Sequence, residues 1–191
     1  MVGFNHTKMG LKSKEENVLK LFFNESAKHW HFTEIVKEAK ISKKQANLWL
    51  KKLMKERIII HVKPKGKMPY FKANFDHPNY QDKKKLYSLN IFYQSGLLNH
   101  LRQLSKAKTV IIFGSFARYD WHSKSDIDLF IYGDSKGLDT ATYRGKLKRD
   151  IATFTYPSLK EMRSIRSGLI KNIINGYVVK GDINDIIEAI V

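Results

Sequence analysis

Two aspartates one residue apart inside an apolar run constrain this chain more than any other feature. The run is Asp126-Ile127-Asp128-Leu129-Phe130-Ile131-Tyr132, and its composition is that of a β-strand. Side chains alternate between faces along a strand, so Ile127, Leu129 and Ile131 take one face and the two acids take the other, their Cα atoms about 6.5 Å apart. Like charges held that close raise each other's pKa unless a cation neutralises them. A hard divalent cation, Mg²⁺ (or Mn²⁺), accepts one or two carboxylates together with phosphate oxygens. Upstream, the β-branched strand Thr109 to Phe113 ends at Gly114-Ser115. Glycine lets a chain leave a strand sharply and lets a ligand approach the backbone. Phe116-Ala117-Arg118 then opens a short helix, and the free N–H groups of a helix start suit phosphate.

Gly114-Ser115, ten intervening residues and then Asp126-Ile127-Asp128-Leu129 resemble the signature of the nucleotidyltransferase (DNA polymerase β-like) superfamily. The wider pattern "FGSFAR…SDIDLFI" is similar to its minimal nucleotidyltransferase branch, over about residues 85 to 180. The resemblance implies an α/β domain with a small mixed sheet. It implies that Gly114, Ser115, Arg118 and Ser125 form the nucleotide-binding set, and that Asp126 and Asp128 hold Mg²⁺. A nucleoside triphosphate, ATP by expectation, would donate its nucleoside monophosphate to an acceptor hydroxyl and release pyrophosphate. Tyr119 stands where the family often has glycine.

Active members of that superfamily carry a third carboxylate on a later strand. Here the strand is Asp150 to Tyr156, and the expected slot falls at Ala152 or Thr153, neither an acid. Asp150 shares the strand parity of Ala152 and is the remaining candidate for the third catalytic acid, one residue pair early. Two readings follow. One is an Mg-dependent nucleotidyltransferase fused to a DNA-binding module. The other is a DNA-binding transcriptional regulator whose degenerate nucleotidyltransferase domain senses nucleotide. Lys146, Lys148 and Arg149 read as a solvated basic face, with phosphate contact the alternative. Many members of the branch pair with a separate helical protein as toxin–antitoxin couples, so the resemblance makes such a protein, or a second copy of the chain, a candidate partner that no residue here decides.

The first part of the chain carries a different pattern. Ser13-Lys14-Glu15-Glu16 has capping-box spacing and precedes an apolar stripe at Val18, Leu19, Phe22 and Phe23, predicting a helix to about residue 28. A second helix fits Phe32 to Lys40. Ser42-Lys43-Lys44-Gln45 repeats the box and opens a third. Ile58 to Val62, the turn Pro64-Lys65-Gly66-Lys67 and Tyr70 to Phe75 read as a hairpin. Three helices and a basic hairpin resemble a winged helix-turn-helix domain. Between Ser42 and Lys72 the only acid is Glu56, against Lys43, Lys44, Lys51, Lys52, Lys55, Arg57, Lys63, Lys65, Lys67 and Lys72. If the third helix enters a major groove, Lys43, Lys44, Gln45, Asn47 and Lys51 face bases or phosphates, and Lys63, Lys65 and Lys67 lie along the backbone of duplex DNA.

The fold class expected is therefore α+β, with a winged helix domain over 1–77 and a nucleotidyltransferase-type α/β domain over 78–191. Pro78 marks the boundary, and an amphipathic helix from Lys84 to Leu104, weak at Gly96, connects the two. The tail reads as two or three helices broken at Gly168, Gly176 and Gly181. A net charge of +17 favours a polyanionic partner. The absence of cysteine excludes disulfides and thiolate metal sites. No apolar run reaches the roughly 18 residues of a membrane span, and the N-terminus reads as too polar for a signal peptide, so a cytoplasmic location is the expectation.

Overall fold

The computed structural model describes residues 14–190, so Ser13, the expected cap of the first helix, lies outside the described residues. Two compact units divide between Lys84 and Lys85.

In the first unit, helices α1 (Lys14–Asn24), α2 (Phe32–Glu38) and α3 (Lys43–Lys55) precede the antiparallel strands β1 (Ile59–Val62) and β2 (Tyr70–Ala73). The residues at helical spacing are the ones buried: Val18, Leu19, Phe22 and Phe23 on α1, Ile35 on α2, and Ala46, Leu50 and Leu53 on α3. Helix α3 starts on a reciprocal cap. Ser42 Oγ accepts from the Gln45 N–H at 3.2 Å, and Gln45 Oε1 accepts from the Ser42 N–H at 3.1 Å. Helix α1 stops at Asn24, short of residue 28, because Trp30 must reach Phe71 of β2, where two backbone bonds of 2.8 Å join them. Lys40, at φ 52, leaves the right-handed region and ends the second helical segment.

The expected helix from Lys84 to Leu104 is two helices, and it begins earlier. Helix α4 (Pro78–Ser95) opens on Pro78, whose missing N–H is no loss in a first helical turn. Gly96 then adopts φ 84, and α5 (Leu97–Arg102) follows with Leu97, Leu98 and Leu101 buried. A left-handed residue ends a helix, so Gly96 is a corner.

The second unit is built on a four-stranded mixed sheet in the order β5-β4-β3-β6, formed by β3 (Ala107–Phe113), β4 (Ile127–Gly133), β5 (Ile151–Tyr156) and β6 (Tyr177–Lys180). Strand β3 runs antiparallel to β4 and β6, whereas β4 and β5 are parallel. Between β3 and β4 lies the short helix α6 (Ser115–Arg118), and α7 (Thr140–Leu147) makes the crossover that a parallel pair requires. Ile111, Phe113 and Phe130 pack against Met162 of α8 (Leu159–Met162), Ile165, Ile173 of α9 (Ser167–Ile174) and Ile186 of α10 (Asn184–Ile190). The tail differs from the helices expected of it, because Tyr177-Val178-Val179-Lys180 is the strand β6, laid against β3. Among the described residues no helix is long and apolar enough to cross a membrane.

One polar link fastens α10 to the sheet. Thr109 Oγ1, fully buried in β3, donates to Asp185 Oδ2 at 2.6 Å, and Lys108 Nζ lies 2.9 Å from Asp185 Oδ1. The Thr109 hydroxyl, then Lys108, hold the Asp185 carboxyl below its ordinary value. A carboxyl depressed in the folded state stabilises above its unfolded pKa and loses that contribution as pH falls through the folded value. Stability of the wild type is thus expected to drop from about pH 4 downward. Asp185→Asn should narrow the difference between neutral and acid pH in urea titrations; an unchanged difference would assign the acid sensitivity elsewhere.

Candidate active site

The register of the sheet assembles the site. Phe113, the last residue of β3, pairs with Asp128 of β4. The next residue, Gly114 (φ 71, ψ −144), turns the chain into α6. A Cβ placed on Gly114 would stand 2.1 Å from Asp128 Oδ2 and 3.0 Å from its Cγ. Glycine is required twice here, by its backbone angle and by the carboxylate lying against it. The group that lies closest against the Gly114 position is the Asp128 carboxylate.

Asp128 is half-buried and Asp126 exposed. Burial pushes the Asp128 carboxyl up, Asp126 pushes it further, and Arg118 pulls it down. Asp128 on β4, partly desolvated, and Asp126 just ahead of the strand, exposed and of like charge, make a pair of oxygen donors that fits a hard divalent cation. Arg118 Nε lies 3.2 Å from Asp120 Oδ2, and its Nη1 donates to Asn172 Oδ1 of α9 at 3.2 Å. Ser115 is half-buried. Ser125 Oγ accepts from the His122 N–H at 2.9 Å, closing a turn just ahead of Asp126.

The parallel register sets Ala152 directly beside Asp128. Asp150 meets the site through its backbone, its carbonyl accepting from the Ile127 N–H at 2.9 Å. Its exposed carboxylate is paired with Arg144 Nε at 2.9 Å. Among the described residues no group of three or more His, Cys, Asp or Glu forms a metal cluster. A cavity of about 120 Å³, lined by Lys85, Phe92, Ile112, Phe116 and Tyr119 among others, does not include Asp126 or Asp128.

Arg149 corrects the expected solvated basic face. It is half-buried, and its Nη1 reaches three carbonyls of the loop before Asp126. Burial pushes its guanidinium down, while Tyr87 and Asp126 pull it up. Position along the chain carries no signal of this, since Arg149 stands in a run of basic residues.

In the first unit, Lys43, Lys44, Asn47 and Lys51 are exposed on α3, and Lys63, Lys65 and Lys67 are exposed around the hairpin turn. Gln45 is half-buried with its carbonyl oxygen engaged in the α3 cap. Sequence reading passes over Leu48, which is 59% exposed. Its signal is the spacing Lys44, Leu48, Lys51, Lys55, one stripe of a helix.

Residues 96–182 match the family model described as polymerase beta, nucleotidyltransferase. That stretch, which holds β3, the Gly114 turn and the acid pair, is a nucleotidyltransferase-type domain. No curated protein matches the chain. Two solved structures match it over 56% of this chain and 80% of theirs. One is a toxin–antitoxin with AMP-PNP, at 17% identity and TM-score 0.34; the other is a mutant of the toxin–antitoxin MntA-HpeT, at 15% and 0.33.

Gly114→Ala is expected to destabilise the second unit by more than the roughly 1–3 kcal/mol that a sparsely populated positive-φ backbone costs an L-residue, because the methyl also displaces Asp128. Gly145→Ala is the control. Gly145 lies in α7 with nothing within 4 Å of its Cβ position, and its φ is outside the left-handed region. It should gain up to about 1 kcal/mol from helix propensity. Equal urea midpoints for the two variants would remove the steric reading of Gly114.

Proposed function

We propose that the chain is an Mg-dependent nucleotidyltransferase fused to a DNA-binding winged helix, transferring a nucleoside monophosphate from a triphosphate to an acceptor hydroxyl. The observation that carries the second half is the contact of Asp128 with the Gly114 turn, which joins a phosphate-binding backbone to a cation-binding acid pair. Asp126 and Asp128 would hold the cation, which would supply charge neutralisation and Lewis acidity at the phosphates. Gly114 and Ser115 offer backbone and hydroxyl donors to phosphate oxygens. Arg118, anchored on Asp120 and Asn172, holds a positive charge beside Asp128. ATP is the proposed substrate, and the cytoplasm the proposed compartment. For partners, the two solved structures, both toxin–antitoxins, motivate testing a helical antitoxin-like protein against self-association.

Asp150 is the proposed general base or second-site ligand, and the obstacle to that role is Ala152, which occupies the position beside Asp128. This alanine favours the second reading, a regulator that binds nucleotide without transferring it. Transfer assays with α-phosphate-labelled NTPs separate the two. Under the enzyme reading, wild type labels an acceptor, Asp150→Asn slows labelling by about 10²-fold or more, and Asp126→Asn/Asp128→Asn abolishes both labelling and metal-dependent ATP binding by calorimetry. Binding without labelling in wild type, with labelling gained by Ala152→Asp, would establish the regulator.

For the first unit, the order of three helices and a hairpin supports a winged helix over 1–77, and the exposed stripe of α3 with the lysines of the turn supports duplex DNA as its partner. Neutralising one phosphate-binding charge should make the slope of log K against log salt shallower by about 0.9. Lys43→Gln/Lys44→Gln is therefore expected to reduce that slope by about 2 for a short duplex. An unchanged slope in fluorescence anisotropy removes these lysines from the interface.

A further inference from the structure

The acid pair stands at the end of a loop, residues 119–126, that has little regular structure of its own. A loop in that position would let Asp126 wander, since Asp126 precedes the first ladder residue Ile127 and no strand pairing fixes it. Besides the local bonds of Ser125 to His122 and of Arg118 to Asp120, a side chain from beside another strand holds the loop. Arg149 Nη1 donates to the carbonyls of His122 at 2.6 Å, Ser125 at 3.0 Å and Ser123 at 3.3 Å. Its guanidinium carbon lies 5.1 Å from the Phe116 ring centroid and 5.0 Å from that of Trp121. Those two buried rings are themselves stacked at 5.1 Å with 9° between planes.

These contacts join parts of the site that lie far apart along the chain. Phe116 belongs to α6, directly after the Gly114-Ser115 turn. Trp121 and the three carbonyls belong to the loop ahead of Asp126. Arg149 itself leads into β5, whose second residue is Ala152. We infer that Arg149 is a positioning residue for the cation site: it clamps the 119–126 loop against α6 and so fixes Asp126 beside Asp128. Only arginine fits the role. A guanidinium is flat enough to lie on rings and carries several donors in a fixed fork, whereas a lysine ammonium is a compact charge on a flexible stem.

The inference rests on the reading of Asp126 and Asp128 as cation ligands, and its test separates the two. Binding of Mn²⁺ alone to the full chain is followed by the free-ion electron paramagnetic resonance signal, well below each variant's unfolding midpoint. Supporting groups behind metal ligands change affinity by about 10- to 100-fold. Arg149→Lys and Arg149→Met are expected to bind Mn²⁺ at least about tenfold more weakly than wild type while keeping the folded-state circular dichroism. Trp121→Leu, which removes one ring of the shelf and leaves the carbonyl bonds, should fall between. Folded Arg149→Lys binding Mn²⁺ within twofold of wild type would overturn the clamp and leave Arg149 a stabilising residue only. Should Arg149→Met not fold, Arg149→Lys and Trp121→Leu decide the matter alone. If wild type and Asp126→Asn/Asp128→Asn bind Mn²⁺ alike, the cation site itself falls, and the clamp with it.

Discussion

The layout of the candidate site in the second unit depends on one carboxylate lying against one glycine. Asp128 sits on β4 opposite the last residue of β3, so its oxygens fall where the chain of β3 must turn away. Any residue with a Cβ at position 114 would occupy the space of Asp128 Oδ2. The turn and the acid therefore cannot be repositioned independently. Close packing makes such a pair a rigid unit, because a shift of one is a collision with the other. The β3–β4 ladder, buried almost throughout on β3, gives that unit its foundation.

The amphipathic elements were legible because their burial follows periodicity. The α1 stripe and the α3 cap were readable residue by residue, and so was the alternation that sets Ile127 and Leu129 inside and Asp128 at the edge. Elements without a periodic stripe were not. Helix α7 buries only Tyr143, leaving nothing for a period to act on. Strand β6 has four residues between two glycines, and its position against β3 is a long-range pairing that no local pattern encodes. The corner at Gly96 was visible as a weak point, but only its backbone angle distinguishes a tolerated helical glycine from a break.

The site divides along the same line. Its candidate ligands are readable because they fall at fixed spacing along one stretch of chain. Its supports are not, because they come from elsewhere. Arg149 reaches back 24 to 27 residues to the loop carbonyls, and Arg118 reaches forward 54 to Asn172. In both, the useful partner is set by tertiary contact, and the local sequence shows only another basic residue in a basic chain. Groups of this kind orient the ligands they stand behind.

The third acid is decided by position more than by charge. Asp150 is paired with Arg144, but both side chains are more than half exposed, and exposed ion pairs contribute only about 0–1 kcal/mol. Breaking that pair is no barrier to recruiting the carboxylate. Distance is the barrier: Ala152 is beside Asp128 in the register, and Asp150 lies two residues back along β5, about 6.6 Å at the rise of a strand. A carboxylate side chain does not span that gap while its backbone carbonyl stays bonded to the Ile127 N–H. Asp150 is therefore placed nearer the start of β4, which Asp126 precedes, than to Asp128. If it serves the reaction, it does so from the Asp126 side, next to the loop that Arg149 holds.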